Sequence, residues 1–365
     1  MFSAAKSISG DAENFDTIII GAGQAGLALG YYLQQQNQRF LLLEAAMQIG
    51  QPWRNRYDSL TLFTPAEYSQ LPGYALNLPK AHYPTKDQIA GYLQDYAAHF
   101  QLPVALGQPV LSVTKANGFF TLSTASKTYL AKNVVVATGP FQTPFIPEFA
   151  TEPSEIVVQV HSAQYRNPAQ FPAGNVLVVG AGNSGAQIAV ELAKTHQVTL
   201  SVKKKPRFSG LRLLGKSVFW WGTKTGALFA PPSTFLGRKM LRQQDVIYGL
   251  ELAQLLEQKE IALRAEIECF MGDTVQFKDG GKSQFQAIVW ATGFRPEYGW
   301  LRVDGALAEN GSPVHQNGVS PVTGLFYVGL SWQRSRSSAL LLGAGRDAQF
   351  IAQRLLGENT SSVFD

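Results

Sequence analysis

A chain of 365 residues can bury two substantial cores, and its length alone points to two domains. At 45% hydrophobic and 16% charged residues the balance is globular, which excludes a disordered chain. The net charge of +5 and pI near 9.1 raise a nucleic-acid partner, but no basic helix or known DNA or RNA motif comes with them. Nucleic acid is therefore not expected; phosphate-rich cofactors and ordinary surface charge account for the excess.

Cys269 is the single cysteine, so an internal disulfide framework is excluded. A flavoenzyme that hands electrons to disulfides needs a redox-active cysteine pair, which this chain cannot supply. The polar stretch Met1 to Glu13 lacks the apolar core of a signal peptide and reads as a loose tail. No run of about 18 apolar residues occurs, so no transmembrane segment is expected. A cytoplasmic location is consistent with both.

The first organised stretch runs from Phe15 to Glu44. Thr17 to Ile20 is a β-rich apolar run of the kind that a parallel strand buried on both faces requires. Gly21-Ala-Gly23-Gln24-Ala25-Gly26 comes next. Gly21 allows a tight turn, Gly23 lets backbone approach a pyrophosphate, and Gly26 lets the next helix pack closely on the strand. The N–H groups that open this helix, at Gln24 and Ala25, form an anion site. A second strand, Phe40 to Leu43, ends in Glu44, 23 residues after Gly21, where a carboxylate meets a ribose hydroxyl pair.

From Met47 to Pro65 turn formers alternate with aromatics and arginines, which suits an ordered loop more than a helix. Lying just after the first mononucleotide unit, it makes Trp53 and Arg54 candidates for flavin or pyrophosphate contact, with simple packing as the alternative. Thr85 and Gln88 form a capping box, and Ile89, Tyr92, Leu93, Tyr96, Ala97 and Phe100 share one helical face directed at the core. Val110 to Val113, Gly118 to Thr124 and Thr128 to Leu130 alternate like a small antiparallel meander. Val134 to Ala137 then returns to the parallel sheet and stops at Thr138-Gly139-Pro140.

The glycine device recurs at Asn175 to Ala189, with Gly180, Gly182 and Gly185 in the same spacing and Asn183 and Ser184 opening the helix. The next strand is Val198 to Val202. Counting 23 residues from Gly180 reaches Lys203, followed by Lys204 and Lys205, where the first copy has its acid. An acid repels a 2′-phosphate and lysines attract it, each charge-assisted hydrogen bond contributing roughly 1.5–3 kcal/mol. The first unit is thus expected to hold FAD and the second NADPH; a solvated surface turn is the plainer reading of the lysines.

Leu211 to Met240, rich in aromatics and cations, admits three readings: a substrate lid, a membrane-surface patch, or a hydrophobic cover on the NADPH domain, the last carrying the most weight. Peripheral membrane contact is the less favoured of the partner readings. Ala287 to Trp290 is a second apolar strand ending in Ala291-Thr292-Gly293. Thr138, Gly139, Thr292 and Gly293 therefore mark turns where the chain crosses between domains beside the dinucleotides. Gly324 to Gly329 forms a last strand and Leu341 to Leu356 a last helix. The expected fold is α/β, with two Rossmann-like dinucleotide-binding domains, the NADPH domain (151–285) inserted into the FAD domain (1–150 and 286–365).

With the glycine motifs, Tyr57-Asp58-Ser59-Leu60, Leu71-Pro72-Gly73, His161-Ser162-Ala-Gln-Tyr165-Arg166, Ala291-Thr292-Gly293-Phe294 and Gly324 to Leu330 resemble the flavin-containing monooxygenases, in their short bacterial and plant YUCCA-like branch. The resemblance runs from about Asp16 to Leu356. It implies FAD and NADPH as cofactors, reduction of the flavin by NADPH, and a C4a-hydroperoxyflavin formed with dioxygen that oxygenates a small organic molecule. The chain departs from the family at Glu155 and Val157, where Phe and Gly are usual before the histidine. Where a better-known branch has Asn beside the flavin this chain has Phe63, and the Thr64 hydroxyl replaces that amide only in part. Gly329-Leu330 stands where related flavin reductases often carry Gly-Asp. No catalytic acid, base or metal site is identified, because the cofactor supplies the reactive oxygen. His161 is either a cofactor contact or a structural histidine. Two other functions stay open: an NADPH-dependent reductase serving quinones or other acceptors, and a non-enzymatic FAD redox sensor.

Overall fold

The computed structural model describes residues 13–148, 157–243 and 245–357. The readings made for residues 1–12, for Glu155 and for a domain junction at 150 lie outside them. Strand β1 (Glu13–Ile20) begins inside the stretch read as tail, because Glu13 and Asn14 pair with the far end of a long neighbour strand. Helix α1 (Gln24–Gln35), β2 (Phe40–Leu43), the short α2 (Gln51–Arg54), α3 (Lys86–His99) and β3 (Val104–Ala105) come next. The helix α2 falls in the segment expected to be loop. Gly50 starts it in the left-handed conformation, and a Cβ there would lie 2.6 Å from the Ala90 carbonyl oxygen, so only glycine seats α2 against α3. Strands β4 (Ser112–Ala116) and β5 (Phe119–Ser123) lead into β6 (Thr128–Val136).

The meander's third strand and the return to the parallel sheet, read as two segments, are this one strand. One edge of β6 pairs with β1 along its length. Its other edge pairs first with β5, at Thr128 to Ala131, and then with a C-terminal strand, at Val134 to Val136. The first sheet runs β3-β2-β1-β6-β5-β4, parallel up to β6 and antiparallel beyond. Ile18 and Ile20 face a cluster with Phe120 and Tyr327, whereas Ile19 faces α1, α3 and the last helix, which explains an apolar run buried on both faces.

The second sheet begins past a two-residue strand, β7 (Thr143–Pro144), with β8 (Val158–His161) and β9 (Asn175–Val179). Helix α4 (Asn183–Leu192) and β10 (Gln197–Ser201) complete the second glycine unit. A covering segment then holds β11 (Phe208–Ser209), the hairpin β12 (Arg212–Leu213) and β13 (Lys216–Ser217), α5 (Val218–Lys224), α6 (Phe235–Arg242) and β14 (Ile247–Tyr248). After α7 (Glu251–Glu257) and β15 (Ile261–Arg264) come three antiparallel strands, β16 (Ile267–Met271), β17 (Thr274–Phe277) and β18 (Lys282–Gln284), then β19 (Ala287–Trp290). The order β15-β10-β9-β19-β8 is all parallel. A boundary at 286 would give β19 to the first unit; its pairing with β8 and β9 gives it to the second. The short β20 (Phe294–Arg295), β21 (Leu325–Tyr327) on β6, and α8 (Leu341–Leu355) return the chain to the first sheet.

The capping box on α3 is formed in both directions: Gln88 N donates to Thr85 Oγ1, and Thr85 N donates to Gln88 Oε1 at 2.9 Å. Thr85→Ala is expected to lower stability by about 1 kcal/mol, read as a drop in the melting temperature, with the cofactor complement unchanged.

Candidate functional site: two matched glycine turns

The two glycine turns repeat in atomic detail. Gly21 and Gly180 adopt φ of +107° and +100°, and a Cβ on either would stand 2.7 or 2.5 Å from the carbonyl oxygen of Ala137 or Ala291. A Cβ on Gly26 would overlap the Gly21 oxygen, and one on Gly185 the Gly180 oxygen. These four glycines are dictated by packing of strand, turn and helix. The middle pair differs: a Cβ on Gly23 or Gly182 meets nothing within 4 Å. Both are N-caps of extended conformation with no side chain bonded to the helix N-termini. Each turn therefore presents uncapped backbone N–H groups across an open cradle, the donor set a pyrophosphate requires. The residues present fit two dinucleotides.

The residues just beyond each second strand separate the copies. Glu44 accepts from Ala22 N at 2.7 Å and from Ala46 N at 2.9 Å, which holds its carboxylate beside the first turn. The strand register corrects the counting that equates Glu44 with Lys203. Gly21 N donates to Leu43 O and Gly180 N to Ser201 O, so Leu43 matches Ser201 and Glu44 matches Val202. Glu44 N and Val202 N also make the same next-strand bond, to Ala105 O and Arg264 O. The second connection is one residue shorter, and exposed Lys203 and Lys204 come one place later than the offset implied. An apolar residue stands in the acid's place, with two cations next to it.

Several predicted side chains are committed to other partners. On α2, Trp53 packs against the first core, while Arg54 donates to Ile49 O and Gln94 Oε1, each at 3.0 Å. Thr64 is buried with its hydroxyl 2.7 Å from Ser69 Oγ; since Ser69 donates to the carbonyls of Thr64 and Pro65, Thr64 is the donor between them. Its proton is thus not directed at a flavin. Asn183 Oδ1 accepts from Tyr248 N at 2.9 Å, and Ser184 bonds the Tyr57 hydroxyl. Gly329 closes the first site from behind, since a Cβ there would lie 2.8 Å from that of Ala25 on α1.

The two Ala-Thr-Gly turns form one junction. Strands β7 and β20 pair antiparallel, Phe145 N donates to Gly293 O, and the Thr292 hydroxyl donates to Phe145 O. Gln142 Nε2 donates to Thr138 Oγ1 and to Gly139 O, and its Oε1 accepts from Glu297 N. His161 completes the junction: Nδ1 accepts from Ala163 N, which leaves Nε2–H to donate to Gly293 O at 2.9 Å. It is the neutral, structural histidine. Burial, aided by the nearby Arg56 guanidinium, holds its pKa below the usual imidazole range. An imidazole with a depressed folded pKa stabilises above the unfolded value and loses that contribution as pH falls through and below it. The melting temperature is expected to drop between pH 7.5 and 5, and His161→Gln to shrink that drop.

A brace across the two units was not foreseen. Tyr57 Oη donates to Gln187 Oε1 at 2.8 Å, Gln187 Nε2 donates to Thr61 O, Asp58 N donates to Arg166 O, and Asn167 Nδ2 donates to Asp58 Oδ2. Two of the motif stretches behind the family resemblance, Tyr57 to Leu60 and His161 to Arg166, are this single contact. Over it, Phe63 stacks on Tyr248 at 4.7 Å and on Phe219 at 6.0 Å, and Arg336 donates to the Tyr248 hydroxyl. Tyr68, Leu228, Leu340 and Leu342 join the cluster. The inner face of Leu211 to Met240 therefore covers the first unit's loop and the C-terminal segment, not the second unit's own core.

A family model described as pyridine nucleotide-disulphide oxidoreductase matches residues 18–211, more than half of the chain. The chain belongs to that family and, within it, to the flavin-containing monooxygenases. It is 48% identical to an uncharacterized CzcO-like oxidoreductase of Geobacillus kaustophilus, across 93% of this chain and 98% of that one. It is 27% identical to the probable indole-3-pyruvate monooxygenase YUCCA8 of Arabidopsis thaliana, across 92% and 87%. The solved flavin-containing monooxygenase of Stenotrophomonas maltophilia matches with a TM-score of 0.79 at 26% identity, covering 95% of this chain and 99% of that one. The protein is an enzyme of the oxidoreductase class. Disulphide chemistry is another matter: Cys269, half-buried on β16, has no second cysteine to pair with.

Proposed function

We propose that the protein is an FAD- and NADPH-dependent monooxygenase acting on a small organic molecule. The observation that carries this reading is the matched pair of uncapped, open-cradle turns with a fixed carboxylate beside one and cations beside the other. In the first, N–H groups from Gln24 onward receive the FAD pyrophosphate and Glu44 the adenosine ribose. In the second, N–H groups from Asn183 onward receive the NADPH pyrophosphate, and Lys203 with Lys204 the 2′-phosphate. Bound FAD, once reduced by NADPH, supplies activated dioxygen. The chain's own part is to bind, orient and exclude water. The Tyr57–Gln187 brace ties the two units together, the His161–Gly293 bond holds the junction between them, and the Phe63–Tyr248–Phe219 stack keeps that side of the site apolar and dry. With Thr64 and Asn183 committed elsewhere, no side chain is assigned an acid–base role.

The test is product analysis under ¹⁸O₂ with NADPH and candidate sulfides, amines and ketones. One labelled oxygen per NADPH in the product is expected. NADPH oxidation with quinone reduction and no labelled product would instead mark a reductase.

A further inference from the structure

The outer side of the covering segment carries something the oxygenase reading does not use. Between Pro206 and Gln244 the sequence has seven Lys or Arg residues and no Asp or Glu, in a chain whose 31 cations and 26 acids are otherwise mixed. Five of the fifteen exposed large hydrophobic residues among the described residues fall in this same stretch. Leu213 and Leu214 are 57% and 82% exposed at the tip of the β12–β13 hairpin, with exposed Arg212 and Lys216 on either side. On α6, Phe235, Arg238, Lys239 and Arg242 fall at i, i+3, i+4 and i+7, one outward face with Phe235, 78% exposed, among the cations. Gly237 anchors the opposite side, where a Cβ would overlap the Pro231 carbonyl oxygen.

We propose that the hairpin tip and the outward side of α6 together dock the enzyme on a bilayer surface rich in anionic lipid. Protruding apolar side chains ringed by cations suit the headgroup boundary: Leu214 and Phe235 enter the acyl edge while the lysine and arginine heads stay with the phosphates. Negative headgroups complement a stretch that has no acid of its own, and each juxtamembrane cation strengthens attachment. An acidic protein partner meets the same cations but is less suited to leucines at a narrow hairpin tip, because protein interfaces need a broad, closely packed patch. The proposal is independent of the cofactor assignments. It does join two faces of one element, since the inner residues Phe219 and Leu228 pack on Phe63 and Tyr68 over the site.

The test is co-sedimentation of the full, FAD-loaded chain with vesicles of phosphatidylcholine alone or mixed with phosphatidylglycerol, at low and high salt. Binding to the mixed vesicles, weakened by salt, is expected, with a blue shift in tryptophan emission from Trp220 and Trp221 beside the hairpin. The triple variant R238Q/K239Q/R242Q is expected to bind about a hundred-fold more weakly. L214D/F235D is expected to lose binding while keeping its FAD content and NADPH oxidation rate. No binding, equal binding to both vesicle types, or undiminished binding of L214D/F235D would overturn the proposal. Capture by polyglutamate as strong as by vesicles, insensitive to L214D/F235D, would point to an acidic protein instead.

Discussion

Gly23→Asp is expected to yield a folded, colourless protein, and Gly182→Asp a folded, yellow one that NADPH cannot reduce. Both positions are N-caps in extended backbone with open space where a Cβ would go, so aspartate enters without strain. Aspartate is a good N-cap, and its carboxylate occupies the N–H groups that otherwise receive a pyrophosphate. The helix gains a few tenths of a kcal/mol and the dinucleotide loses its donors and meets a like charge, a fall of about a hundred-fold or more in affinity. Absorbance at the flavin band, circular dichroism and melting curves separate binding from folding. Gly26→Val is the contrasting control: its side chain has to displace the Gly21 carbonyl, and a loss of roughly 3 kcal/mol or more in stability is expected instead of a clean binding defect.

Coenzyme choice offers the second large effect. Val202→Glu restores a carboxylate at the place that Glu44 holds in the first unit, within reach of the Ala181 N–H as Glu44 is of Ala22. Together with Lys203→Glu and Lys204→Glu it should repel a 2′-phosphate and accept plain ribose hydroxyls. The kcat/KM for NADPH is expected to fall by about a hundred-fold, two charge-assisted contacts being lost, while that for NADH holds or rises. Steady-state rates with each coenzyme read this directly. An unchanged ratio means that the lysines are only a solvated turn.

Much of this architecture was legible because it is local and repeated. Strand, glycine and helix signals are set within about 30 residues of chain, and the glycine conformations arise from one carbonyl each, at Ala137 and Ala291. The register slip at Val202 was not legible: α1 has twelve residues and α4 ten, and a fixed offset in sequence cannot see where a helix ends. Nor was β6 as one strand, because its partner changes from β5 to β21 halfway along and each half carries a different burial pattern. Side-chain commitments were the least readable. Arg54, Thr64, Asn183 and Ser184 sit in the right turns and loops, yet each bonds another polar group, Thr64 the nearby Ser69 and the others Gln94, Tyr248 and Tyr57 brought in by distant chain. Tyr57 and Gln187 meet across 130 residues, and only the assembled units bring them together.

That two near-identical turns serve two different dinucleotides is tested most directly by anaerobic titration of the purified enzyme with NADPH, monitored at the flavin absorbance. One FAD per chain, bleached fully by one equivalent of NADPH and far more slowly by NADH, is the predicted result. Protein that takes up no FAD would contradict the assignment of the first turn, and flavin that stays oxidised under excess NADPH that of the second.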